Sequence, residues 1–204
     1  MKTPQASRET VLELAREEWA RSGPDLPFPS HVIVAFRGYW PKSMGPTPGN
    51  DPGVWDDAWY FIAPGKLRKT DANTDPSRYG WNSRTDKPMA VLNTGCWPFR
   101  RGPHKGRTPA LRQFTEQEAR KAKVPDDGRF SVTRTYKAGD PRNYVEGGYY
   151  SINCHPGGVN GTSSEGCQTL PRDVADDILW DIWKTTERAG VDVIWYILIN
   201  GPIS

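Results

Sequence analysis

Residues 147–171, GGYYSINCHPGGVNGTSSEGCQTLP, include a cysteine and a histidine that could act together as nucleophile and base. A thiol becomes a strong nucleophile when a base takes its proton, and backbone amides of a glycine-rich turn can hold the resulting oxyanion. A glycine-rich loop separates His155 from Cys167 and permits a sharp return of the chain. The pair therefore predicts cysteine chemistry, against the alternative of a buried structural cysteine beside a surface histidine.

Strand alternation decides which of two neighbouring cysteines can join this histidine. Residues 149–155 alternate like a strand, so Asn153 and His155 share one face while Cys154 lies on the other. A zinc site from Cys154, His155, Cys167 and His104 would need adjacent residues to converge, which alternation opposes. We expect no metal site and no cofactor.

Two other kinds of catalytic site compete with the cysteine. The stretch around Ser163 and Ser164 lacks the flanking glycines of a serine nucleophile elbow, so we set serine catalysis aside. A carboxylate pair such as Glu146 and Glu165 would suit a glycosidase, although no spacing identifies the pair. That alternative stays open.

Residues 97–107, WPFRRGPHKGR, are basic and aromatic. They predict either a solvated loop or one wall of a groove for an anionic ligand. In the second interpretation, the candidate substrate-binding residues are Trp97, Arg100, Arg101 and His104.

The elements that must position these side chains are mostly short strands. Strands are predicted at 31–39, 58–63, 89–92, 130–136, 149–155 and 191–199, and helices at 7–21, 115–123 and 171–189. The fold class is therefore mainly β with flanking helices, an α+β domain. We divide the chain into an N-terminal helix and linker at 1–29 and a catalytic domain at 30–204.

Composition excludes several function classes. The 204 residues suit one domain, and a net charge of +3 is too small to predict nucleic-acid binding. No stretch is apolar enough to span a bilayer, so we expect no stable membrane insertion. Three cysteines do not form a disulfide framework, which fits a reducing compartment. We expect a monomer.

Residues 148–171, above all INCHPGGVNGTSSEGCQTLP, resemble the signature of L,D-transpeptidase catalytic domains, in which a strand-end histidine precedes Ser-His-Gly-Cys. They are also similar to phage endolysin-type proteins with that fold. The resemblance implies Cys167 as nucleophile, His155 as general base, and Ser164 with Gly166 as shapers of the nucleophile turn. It also implies a curved sheet or small β-sandwich with a long C-terminal helix.

Two positions depart from that signature. Glu165 stands where the family has histidine, and Thr169 stands where it usually has arginine or asparagine. Glu165 is therefore a candidate for a catalytic role, and Thr169 for substrate contact.

The function that the resemblance implies is cleavage within the wall peptide by a phage-lysin type peptidoglycan hydrolase. Residues 1–29 contain no apolar run like that of a signal peptide, which favours synthesis in a host cytoplasm and release to the wall through a holin. The alternatives are a transpeptidase, a wall glycosidase using Glu146 or Glu165, and a non-catalytic wall binder using Trp40, Trp81 and Trp97.

Overall fold

The computed structural model describes residues 3–38, 50, 53–77, 87–136, 139–159 and 161–201. The helices are α1 (Arg8–Ser22), α2 (Glu116–Lys121) and α3 (Arg172–Arg188), with a 3-10 turn at Pro125–Gly128. The strands are β1 (Val32–Arg37), β2 (Asp57–Ala63), β3 (Lys66–Ala72), β4 (Met89–Leu92), β5 (Gly95–His104), β6 (Thr108–Gln113), β7 (Phe130–Thr135), β8 (Tyr144–Gly148), β9 (Asn153–Pro156), β10 (Gln168–Leu170) and β11 (Ile194–Asn200).

One curved sheet dominates the molecule and nearly closes on itself. Its order is β10-β9-β6-β5-β11-β1-β2-β3, and β4-β7-β8 form a smaller sheet. The two edges of the large sheet meet where Asn73 and Thr169 exchange backbone hydrogen bonds of 2.9 Å. The predicted mainly β, α+β class is confirmed.

Strands β1, β2 and β11 contain long apolar runs because both faces of the sheet are covered there. In β1, Ile33 and Ala35 belong to the inner core, which α3 and the small sheet help to fill, while Val32, Val34 and Phe36 face outwards. Helix α1 covers the outer face with Val11, Ala15 and Trp19. Burial on both sides explains why these strands contain unbroken hydrophobic runs instead of alternation.

The predicted solvated loop at 97–107 is wrong for most of that segment, which forms β5 and the turn after it, while His104, Lys105 and Arg107 line a cavity. Prolines and arginines hid the strand, because strand propensity depends strongly on neighbouring strands that the local sequence does not contain. Four other strands escape prediction because their pairing also depends on neighbouring strands, namely β3, β6, β8 and β10.

The predicted strand at 149–155 is also shorter than expected. Only Asn153–Pro156 pair as β9, because Ser151 has a left-handed φ of 56° that interrupts the extended chain. Cys154 nevertheless lies in the core, and His155 reaches a cavity on the other side, as alternation predicts.

The predicted helices are present, and α1 and α2 have their predicted capping contacts. Ser7 accepts the Thr10 N–H at the start of α1, and Thr115 with Glu118 forms the predicted capping box of α2. The described part of the chain contains no helix that is long and apolar enough to cross a membrane.

Candidate active site

Two parallel strands at one end of the large sheet place the predicted nucleophile and base on the lining of one cavity. Strand β9 pairs with β10 so that His155 lies opposite Thr169 and Cys154 opposite Gln168. Cys167, directly before β10, therefore lies beside Asn153, whose backbone N–H donates to Cys167 Sγ at 3.4 Å. The thiol also lies 3.9 Å from the carbonyl oxygen of Ser151.

A tight turn presents Cys167. Ser164 Oγ donates to the Cys167 carbonyl at 2.7 Å and accepts the Gly166 N–H at 3.0 Å. The Ser164 carbonyl in turn accepts hydrogen bonds from the backbone N–H and hydroxyl of Ser77. Gly166 has a φ of 146°, which a side chain rarely tolerates. Ser164 and Gly166 thus have the turn-shaping contacts that the resemblance implies.

The thiol opens onto a cavity of about 530 Å³ that His155 and His104 also line. Among the described residues, the lining includes three exposed cations and one acid, Lys105, Arg107, Arg172 and Glu165. Opposite charges attract most strongly where solvent is partly excluded, so this excess of positive charge favours an anionic ligand.

The hydrogen bond of His155 decides which of its ring nitrogens is basic. His155 Nδ1 lies 2.7 Å from the Pro156 carbonyl, which can only accept, so the proton is on Nδ1 and Nε2 has the lone pair. The two imidazole rings stack with centroids 3.9 Å apart and planes 12° apart. Two charges about 4 Å apart repel by about 4 kcal/mol at an effective dielectric of about 20, so the stack disfavours double protonation.

Burial keeps both members of the reactive pair uncharged at neutral pH. It lowers the pKa of His155 to about 4, with a further contribution from His104. Burial also raises the pKa of Cys167, which Glu165 raises further and which the Asn153 N–H and Lys105 oppose. The site therefore holds a thiol and a neutral imidazole instead of an ion pair at neutral pH.

Two smaller cavities lie near this site. One of about 460 Å³ shares Gly158 and Arg172 with the main cavity and has Trp55 in its lining. The other, of about 220 Å³, includes Ser151, whose carbonyl contacts the thiol, and Tyr149.

Comparison of the chain with protein-family models, with curated proteins and with solved structures finds no match. The assignment of a function therefore rests on the residues and geometry of this site.

Of the five predicted substrate-binding residues, only His104 lines the cavity. Trp97 packs on Phe130 and donates its indole N–H to a backbone carbonyl. Arg100 pairs with Glu118, and Arg101 binds residues at the end of α3 and just beyond it.

Thr169 is fully buried in the seam between β10 and the end of β3. The structure gives no support for substrate contact by Trp97, Arg100, Arg101 or Thr169, because strand pairing turned these side chains into packing and bridging groups.

Sequence reasoning missed three residues that support the site. Asn153 contacts both the thiol and His104, Ser77 holds the nucleophile turn, and Gln168 joins the Thr74 and Gly166 carbonyls to the Tyr196 hydroxyl. Only Asn153 had a signal, since alternation put it on the His155 face. Ser77 and Gln168 act through partners distant in sequence.

The other candidate chemistries gain little from the structure. Glu146 pairs with Arg134 on the small sheet and does not line the cavity that contains Glu165. Among the described residues, no group of three potential ligands is arranged to hold a metal ion. Trp40 and Trp81 lie outside the described residues.

Proposed function

We propose that this chain is a cysteine-dependent peptidoglycan hydrolase of phage-endolysin type that cleaves within the wall peptide. The observation that carries the proposal is one cavity lined by Cys167 and His155, with a backbone N–H at the thiol and a basic Nε2 on the imidazole. The excess of positive charge in that cavity suits a substrate with free carboxylates, such as a wall stem peptide.

The chemistry is an acyl transfer in two halves. His155 Nε2 takes the thiol proton as the sulfur attacks the peptide carbonyl, and protonated His155 then gives that proton to the departing amine. A water activated by the same imidazole cleaves the thioester and restores the thiol. Exposed Glu165 lines the cavity and raises the pKa of the Cys167 thiol, and it does not serve as the general base.

The proposal includes a finer fold assignment and a biological setting. We take the nearly closed sheet as L,D-transpeptidase-like, with β9 and β10 carrying base and nucleophile. We also propose a monomer that is made in a host cytoplasm and reaches bacterial peptidoglycan after holin-dependent release. The support is the resemblance of residues 148–171 together with the site geometry.

A second candidate is transpeptidation at the same thiol. The cavity lined by Ser151 and Tyr149, next to the carbonyl that contacts the thiol, could seat an acceptor amine in place of water. The chemistry up to the thioester is then identical, and only the second nucleophile differs.

Mass spectrometry of muropeptides released from purified sacculi separates these reactions. Shortened peptides indicate the hydrolase, new cross-links a transpeptidase, new reducing ends a glycosidase, and an unchanged profile a binder. Cys167→Ala should remove the product, whereas Cys96→Ala, which deletes a buried thiol under α1, should retain it. Full product formation by folded Cys167→Ala would refute the cysteine mechanism.

A further inference from the structure

The hairpin formed by β5 and β6 places His104 directly over the ring of His155. His104 is the last residue of β5, and its imidazole stacks on His155 at 3.9 Å between centroids. A stack this close and parallel restricts tilting of the His155 ring, whose Nδ1 is already tied to a backbone carbonyl. The orientation of the basic Nε2 is therefore set from two directions.

Asn153 connects this second histidine to the thiol. Its side-chain Nδ2 lies 3.2 Å from His104 Nδ1, and its backbone N–H donates to Cys167 Sγ. The Asn153 amide nitrogen donates, so His104 Nδ1 accepts and the proton of the neutral imidazole is on Nε2. One residue thus fixes the tautomer of His104 and contacts the nucleophile.

We propose that His104 is a positioning residue of this site, which holds the His155 ring and limits the stacked pair to one proton, so that His155 stays available as a base in mildly acidic solution. The role in catalysis rests on the proposed function. The coupling between the two rings does not.

The charges around the pair act in the same direction. The cations that line the cavity oppose a second proton on the stacked imidazoles, and they are Lys105, Arg107 and Arg172. Among the described lining residues, Glu165 and the thiolate form of Cys167 would favour a second proton. Burial, Lys105 and Arg112 lower the pKa of His104, just as burial and His104 lower that of His155.

Nuclear magnetic resonance of the imidazole nitrogens tests the coupling directly. The chain has three histidines, so each can be followed through a pH titration of the Cys167→Ala protein, which needs no turnover. His104→Phe keeps a flat ring but removes the charge, and should raise the pKa of His155 by about one unit or more. His155→Phe should raise the pKa of His104 reciprocally.

Two further variants control this result. Asn153→Asp supplies an acceptor to His104, so His104 should take the first proton of the pair at a higher pH than in the parent. His31→Phe, at the edge of β1 and outside the cavity, should leave both titrations unchanged. An unchanged His155 titration in folded His104→Phe, or full protonation of both rings over one pH range in the parent, would overturn the proposal.

Turnover gives the second readout, on protein with Cys167 intact. His104→Phe should move the acid limb of kcat/KM to higher pH by the same shift as the His155 titration, which lost packing alone would not do. If the sacculus assay finds no cleavage, the proposed hydrolase fails while the titrations still test the pair. If cleavage is found and the acid limb does not move, the positioning role fails alone.

Discussion

Replacement of Gly166 by alanine should damage the nucleophile turn more than any other substitution of its size in the loop. The new Cβ would lie 2.3 Å from the Ala90 carbonyl oxygen and 3.3 Å from its carbon, both backbone atoms that cannot rotate away. The residue also has a φ of 146°. Either the turn or the start of β4 must move, and the thiol one residue later moves with it.

The magnitude follows from the two sources of strain. A side chain in a sparsely populated backbone region costs about 1–3 kcal/mol, and overpacking of a tight site costs about 1–3 kcal/mol more. We therefore expect Gly166→Ala to lower the free energy of unfolding by about 2–6 kcal/mol, a large part of a typical total of about 5–15 kcal/mol.

Urea unfolding followed by tryptophan fluorescence measures this change. Gly161→Ala is the matched control, because its Cβ would have no atom within 4 Å in the same loop. We expect that variant to stay within about 0.5 kcal/mol of the parent. A Gly166→Ala protein as stable as Gly161→Ala would show that the close approach to Ala90 does not exist in solution.

The remaining predictions concern the thiols and the imidazole. Iodoacetamide at neutral pH should label Cys167 first, since burial raises the pKa of Cys96 to about 11 and that of the core thiol Cys154 further. Peptide mass mapping identifies the labelled residue. Modification of Cys154 before Cys167 would show that Cys167 is the wrong choice of nucleophile. His155→Gln should reduce the rate of wall cleavage by about two to four orders of magnitude while binding to sacculi persists. If that variant keeps near-normal turnover and Glu165→Gln is inactive, Glu165 and not His155 is the general base.

His155→Gln should also change how the free energy of unfolding depends on pH. The folded-state pKa of His155 is about 4 against an ordinary 6.5, so the unfolded chain binds more protons between these values and the parent loses stability as pH falls through them. Relative to His155→Gln, that loss should reach about 3 kcal/mol near pH 4. Parallel stability curves for the two proteins, from urea unfolding at each pH, would contradict the assignment of a buried neutral imidazole.

The sequence by itself determined the elements whose signals are local. Helix α3 follows from apolar spacing, and the capping box of α2 from four consecutive residues. The apolar runs of β1 and β11 identified these two buried strands, because burial on both faces requires such runs. Alternation over a few residues was enough to separate Cys154 from His155.

Only the tertiary structure decided which other side chains join the site. Strand pairing directs Arg100 and Arg101 to partners outside the cavity. Closure of the sheet at Asn73 buries Thr169. His104 was a candidate from the sequence, but its stacking on His155 arises only because the β5–β6 hairpin folds the last residue of β5 over β9. Pairing between strands depends on partners far apart in the chain, and a shift of one residue exchanges the two faces, so no local pattern specifies which side chains meet.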